Sequence, residues 1–182
     1  MAETFFNHVV LGGTFDHLHK GHKALIDKAF AVGKKVTIGL TSEKLTKNKF
    51  LSQTIESYIE RYKALKNYLS LKKFSDRCKI LKIDDIFGST LTDETIEAIV
   101  VSKNTLSGAQ LINRERGKRK LPFLKIIIVP DVLGEDGELI TSEKIRLGVI
   151  DREGGSYRLA VGRRLILPDH LRESLRKPLG EV

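Results

Sequence analysis

The chain reads as an α/β protein, a Rossmann-like doubly wound five-stranded parallel sheet with helices on both faces. Three observations predict it. Short runs of branched apolar residues recur along the chain, and they are continuous rather than alternating with polar residues. That pattern belongs to strands covered on both faces. Stretches of helical period fall between the runs, and such alternation implies right-handed crossovers and a parallel sheet. A glycine-rich turn joins the first run directly to the first helix, and in these sheets ligands bind beyond the carboxyl ends of the strands.

Strands are expected at 8–11, 35–40, 79–83, 98–101 and 124–129, each bounded by polar or glycine-containing segments. Helices are expected at 20–32, 57–68 and 106–116, with a weaker signal at 93–97. The 182 residues suffice for one ordinary domain with a real core, placed at 1–150, followed by an extension at 151–182. Hydrophobic residues make up 41% of the chain, which excludes a disordered polymer. The single cysteine, Cys78, excludes an intramolecular disulfide and fits a reducing compartment. No apolar run approaches the ~20 residues that span a bilayer, and Met1-Ala2-Glu3-Thr4 is no basic leader. A cytoplasmic location without membrane contact is expected.

Basic residues outnumber acidic ones 32 to 23, a net charge of +9. Clusters at 114–120 and 158–177 raise nucleic acid as a partner. Aromatics reach only 7%, with no tryptophan and no nucleic-acid motif, so the excess is assigned to solvated helix faces and to polyanionic substrates.

The most informative string is Gly12-Gly13-Thr14-Phe15-Asp16 followed by His19-Lys20-Gly21-His22. A glycine-rich turn into a helix leaves backbone N–H groups free where the helix dipole is positive, which suits phosphate. His19 and His22, three residues apart, share one face of the first helical turn. A second string, Ile140-Thr141-Ser142-Glu143-Lys144-Ile145-Arg146, lies a domain's length downstream. Together the two resemble the signatures of the HxGH nucleotidyltransferase superfamily, and among its members the archaeal-type phosphopantetheine adenylyltransferases. The resemblance runs from about Val9 to Gly148. It includes residues 36–42, Ile59-Glu60-Arg61, residues 99–102 and Ile112-Asn113-Arg114.

The resemblance implies adenylyl transfer from ATP to 4′-phosphopantetheine, giving dephospho-coenzyme A and pyrophosphate. Mg²⁺ would enter bound with ATP, with no metal ligands in the protein. It places Thr14 and the backbone of Phe15 at the acceptor phosphate. His22 is placed over the α-phosphate as the catalytic donor, with His19 and Gly13 orienting the nucleotide. Thr141, Ser142 and Arg146 are placed at the triphosphate, and Arg114 at the nucleotide. A loop lysine bridges both substrates in related enzymes. Spacing does not choose among Lys44, Lys47 and Lys49; Lys49 is taken, with a plain solvated lysine as the equal alternative.

Glu143 departs from the family's hydroxyl residue and adds a negative charge near the expected β- and γ-phosphates, although it suits a first helical turn. Asp16 is expected to hold the turn through side-chain-to-backbone bonds. Glu60, Arg61 and the Tyr58/Tyr62 pair sit at helical spacing and are expected to pack and pair on the surface. The runners-up are another HxGH transferase, a cytidylyltransferase or an FMN adenylyltransferase, and a nonenzymatic nucleotide- or nucleic-acid-binding module. The Arg-Thr-x-Gly-Ile-Ser-Thr-Thr string of cytidylyltransferases is absent. Gly154-Gly155-Ser156 reads as a linker. Residues 167–182 resemble the opening of an archaeal GTP-dependent dephospho-coenzyme A kinase, with a docked terminal helix as the alternative.

Overall fold

A computed structural model describes residues 6–157. The elements follow in the order β1 (Phe6–Gly13), α1 (Lys20–Val32), β2 (Gly33–Thr41), α2 (Tyr58–Leu71), β3 (Cys78–Ile83), β4 (Ala98–Ser102), α3 (Leu106–Lys118), β5 (Lys125–Val129) and α4 (Ser142–Arg146). All four strand pairings are parallel. The order across the sheet is β3-β2-β1-β4-β5, so the chain winds one way from β1 to β3 and the other way through β4 and β5. Strand order reverses between β1 and β4, and the crevice beyond their carboxyl ends is where such sheets bind ligands.

Successive residues of a strand point to opposite faces, so the apolar runs feed two cores. Val9, Leu11, Val36, Ile38, Leu40 and Val100 pack with Ile26, Ala29 and Phe30 of α1 and with Leu65 and Leu69 of α2. Val10, Ile99 and Val101 face the other way and pack with Ala109 and Ile112 of α3. Covering both faces explains why the strand segments carry no in–out alternation. All five expected strands form, and so do the three helices with strong signals.

The weak helical signal at 93–97 does not mature. Residues 84–97 form an irregular connection, tied down by Asp85, whose carboxylate accepts from the Phe87 and Gly88 N–H groups. A fully buried Arg116 completes the anchor by donating to the carbonyls of Thr90 and Pro122. That burial also breaks the basic cluster at 114–120, because one of its cations lies inside the core. The expected linker at Gly154 is a folded turn. Gly154 is buried, with a φ of +90° that a side chain would strain, and its carbonyl accepts from the Glu135 N–H. Arg152 accepts from the Lys20 N–H through its own carbonyl, which ties this turn to the start of α1. The kinase-like string at 167–182 lies outside the described residues.

The α1–β2 junction leaves no room for a side chain at its glycine. Gly33 opens β2 immediately after α1 and donates its N–H to the Ala29 carbonyl. A Cβ at this position would stand 2.6 Å from Val9 Cγ2 and 3.0 Å from that carbonyl. Overpacking of this kind costs about 1–3 kcal/mol, and each kcal/mol lowers the melting temperature by ~2–4 °C at this size. Gly33→Ala is therefore expected to lower Tm by several degrees in a thermal melt followed by circular dichroism. An unchanged Tm would show that β1 and β2 have slack at their start.

Candidate active site

A cavity of about 630 Å³ opens at the carboxyl ends of β1, β2 and β4, over the switch point. Its floor includes Gly12 and Gly13, and its polar rim includes Thr14, His19, His22 and Lys49. Leu81, Ile83, Ile86 and Phe87 give one side an apolar wall. Ser102, Thr105 and Gly108 border the other.

The turn after β1 is bent against its own preferences. Phe15 has φ 52° and His17 has φ 48°, left-handed conformations that cost bulky residues of order 1–3 kcal/mol each. Such strain persists only where the surroundings hold it. Glu56 fixes His17 by accepting its backbone N–H at 2.8 Å. Asp16, almost wholly buried, accepts the Glu56 N–H at 2.9 Å with Oδ1 and pairs through Oδ2 with Arg146. Its carbonyl accepts the Ser142 hydroxyl at 2.9 Å. Arg61 is fully buried and donates through Nη1 to the carbonyls of Thr14 (2.8 Å) and Thr41 (2.9 Å), and through Nε to that of Glu56 (2.9 Å). The expected surface ion-pairing role for Arg61 is therefore wrong. Glu60 instead closes a capping box with Ser57 at the start of α2.

Thr14 Oγ1 accepts from the Lys49 ammonium at 2.7 Å and from the Thr41 hydroxyl at 3.2 Å. Both of its lone pairs are engaged, so its own O–H remains to donate into the cavity. Partial desolvation and the Arg146 guanidinium hold the Lys49 pKa below the usual lysine range. Lys44 faces Asp84 instead. Of the three loop lysines, Lys49 is the one that reaches the turn.

His19 caps α1: its Nδ1 accepts the Gly21 N–H at 3.2 Å. A nitrogen that accepts carries no proton, so the ring is neutral, with its hydrogen on Nε2. Burial agrees, pushing the His19 pKa down to about 4. Gly21 gives the ring room, since a Cβ there would meet Nδ1 at 3.1 Å. His22 stacks on His19 at 3.8 Å between ring centroids and lies against Phe15 at 5.2 Å. Its Nδ1 is buried without a hydrogen-bond partner among the described residues. Burial, then His19 and Lys49, depress its pKa far below the usual value, so it too is neutral. Outside the site, burial pushes the Cys78 thiol up to about 12, which removes it as a nucleophile.

In the second motif, Thr141 caps the short α4 by accepting the Lys144 N–H at 3.2 Å, and it borders the cavity together with Ser142. Arg146 is nearly buried; one amino group pairs with Asp16 and the other donates to the Phe50 carbonyl at 3.0 Å. It thus binds the turn to the lysine loop. Glu143 is exposed in the first turn of α4, so its charge is set in solvent near the dipole's positive end. Arg114 is exposed on α3 and does not border the cavity. Asn113 is spent on the approach to β5, its amide exchanging two bonds with the Leu124 backbone. Among the expected site residues, Gly13, Thr14, Phe15, His19, His22, Lys49, Thr141 and Ser142 meet around one cavity.

Fold and site together define a cytidylyltransferase-like nucleotidyltransferase: residues 10–148 match the family Cytidylyltransferase-like, and the chain belongs to it. Within that class it falls among the archaeal phosphopantetheine adenylyltransferases. It is 47% identical over 149 residues to the protein of that name from Pyrococcus abyssi, covering 82% of this chain and 94% of the relative. The counterpart from Methanothermobacter thermautotrophicus is 43% identical, with 80% and 87% covered. A solved protein of unknown function from Archaeoglobus fulgidus superposes with a TM-score of 0.61 at 34% identity, covering 68% of this chain and 89% of its own. A bifunctional NMN adenylyltransferase/ADP ribose pyrophosphatase from Francisella tularensis shares the fold at 18% identity and a TM-score of 0.54, with 79% and 41% covered. No helix among the described residues is long and apolar enough to cross a membrane.

The depressed histidine has a consequence for stability. The unfolded chain binds a proton at His19 near pH 6.5, whereas the folded one waits until about 4. Between these values the unfolded state holds more protons, so stability is full above about 6.5 and is lost as pH falls toward 4. The single-site contribution is roughly 3 kcal/mol. His19→Asn keeps a capping acceptor but does not titrate. Its urea-unfolding free energy is expected to fall less than the wild type's between pH 7 and 4.5, and parallel losses would contradict a neutral buried His19.

Proposed function

We propose that this chain transfers the adenylyl group of ATP to 4′-phosphopantetheine in the cytoplasm, releasing pyrophosphate and forming dephospho-coenzyme A. The observation that carries the reading is the Thr14–Lys49–His22 arrangement at the mouth of β1, in a chain whose relatives bear that enzyme's name. The single cysteine suits the reducing compartment.

The acceptor is a phosphate monoester with a second pKa of ~6, so it is already mostly a dianion at neutral pH. It needs no general base. The barrier lies in bringing two polyanions together and in charge moving onto the departing pyrophosphate. Positioning and charge stabilisation then suffice, without a covalent intermediate. Thr14 donates its free O–H to the acceptor phosphate, and Lys49 neutralises it from the same side. The phosphate's nucleophilic oxygen attacks the α-phosphorus of ATP, and the bond to the bridging oxygen of pyrophosphate breaks. His22, neutral and enclosed, donates to the α-phosphoryl oxygens as their charge grows, while the His19 Nε2–H orients the triphosphate. Thr141 and Ser142 border its far end, and Arg146 acts on it by holding the turn and the loop.

Mg²⁺, bound with ATP, would supply charge neutralisation on the phosphate oxygens. The described residues contain no group of three or more His, Cys, Asp or Glu that could cage a metal. On the proposed reaction the ATP phosphates and water would be its main donors, the common arrangement for Mg²⁺.

Incubation with ATP, Mg²⁺ and phosphopantetheine, followed by HPLC, tests the reading. Dephospho-coenzyme A with equimolar pyrophosphate is expected; folded, ATP-binding protein that makes none would overturn it. Product formed with CTP instead of ATP would move the chain to a cytidylyltransferase role. His22→Ala is expected to lower kcat by ~10²–10³-fold with little change in ATP affinity, the loss seen for one transition-state donor. Thr14→Val should raise KM for phosphopantetheine while sparing ATP binding. Equal losses for both substrates would reduce Thr14 to a shaper of the turn.

A further inference from the structure

Arg61 is fully buried, and none of its hydrogen bonds goes to a carboxylate. Helix α2 carries it beneath the cavity floor, where one amino group bridges the carbonyls of Thr14 and Thr41 at the ends of β1 and β2. The two peptide groups held in this way have different fates. In a trans peptide the N–H points opposite to the carbonyl, and no peptide bond among the described residues is cis. Fixing the Thr41 carbonyl sends the Ser42 N–H the other way, where it donates to the Ile83 carbonyl at 2.9 Å. Fixing the Thr14 carbonyl turns the Phe15 N–H away from Arg61 in the same manner. That N–H has no acceptor among the described residues, and it belongs to a left-handed Phe15 that borders the cavity.

We infer that Arg61 is a positioning residue that aims the Phe15 N–H at the acceptor's phosphate and fixes it there by gripping the Thr14 carbonyl. The inference rests on the acceptor being a phosphate monoester, as proposed above. Arg61 touches no substrate. It acts through the peptide, and the bond polarises that peptide so that its N–H becomes a better donor. Its second amino group is buried and without a hydrogen-bond partner among the described residues. Holding the Thr14 and Thr41 carbonyls through Nη1 and the Glu56 carbonyl through Nε at once needs the planar fork of arginine. Lysine carries the same charge on a flexible stem as a point donor and does not reproduce that fork.

Two measurements test this. In wild-type protein labelled with ¹⁵N, adding phosphopantetheine is expected to move the Phe15 amide resonance strongly downfield, and adding ATP alone is not. A Phe15 amide indifferent to phosphopantetheine overturns the inference, whatever the variants do. In Arg61→Lys, checked for wild-type circular dichroism, KM for phosphopantetheine is expected to rise about tenfold or more, the cost of a hydrogen bond to a charged group. ATP affinity by calorimetry should stay within about twofold, a much smaller free-energy change. A variant that weakens both substrates alike, or neither, shows a merely structural arginine. Failure of the underlying reading is separate, because wild-type protein would then form no dephospho-coenzyme A at all.

Discussion

The buried carboxylate of Asp16 is the point on which the site depends. One oxygen holds the Glu56 backbone, the other holds Arg146, and the residue's carbonyl holds Ser142. A turn after the first strand, a loop after the second and a helix near the end of the domain are thereby fixed to one residue. Removing one member of such a buried pair costs about 3–5 kcal/mol, because the survivor keeps its charge without a partner. Replacing both by apolar groups can be neutral, so the pair contributes geometry more than stability. What it specifies is the place of Lys49: Arg146 holds the Phe50 carbonyl, one residue beyond the lysine that reaches Thr14.

Around this pivot the charges are sorted by depth. Asp16, Arg61 and Arg146 lie inside, spent on the backbone and on each other. His19 and His22 line the cavity as neutral rings, stacked and desolvated. Stacking two imidazoles at 3.8 Å opposes charging both at once, since two positive rings would repel in a weakly screening environment. The His-x-Gly-His spacing follows from this geometry. Three residues bring the rings onto one helical face, and a glycine between them leaves the first ring room to fold back onto its own backbone.

The sheet was legible because its signals are local. Continuous branched runs marked strands covered on both faces, and three helical periods marked the crossovers. The site string was legible because nearly all its members sit within ten residues of one turn. Long-range partners were not. Asp16 meets residues 40 and 130 positions away, and no spacing rule reports that. Arg61 stands four and eight residues before Leu65 and Leu69, on the buried face of α2, so its period did point inward; its charge masked that signal, and the backbone carbonyls that receive it come from distant turns. Arg114 failed for the converse reason, since the part of α3 facing the sheet is taken by Ala109, Ile112 and Arg116, leaving it exposed. Gly154-Gly155 carries a linker's composition, but its glycines serve a tight turn against Gly134 and Ile140.

The sorting of charge also bears on how such a site spends its interactions. A cation fixed against a phosphate binds substrate and transition state nearly alike, which improves capture more than turnover. Neutral donors in a dry cavity gain most when charge grows, because little solvent screens them at that moment. On the proposed reaction, Lys49 and the Thr14 hydroxyl serve the first task, since their target is a dianion from the start. His22 serves the second, since its target gains charge only as pyrophosphate departs. Protonating the histidines would erase the difference. They would hold ATP and pyrophosphate more tightly in every state, and product release would slow. Burial that keeps both rings neutral costs stability at acid pH and preserves the distinction between holding a substrate and converting it.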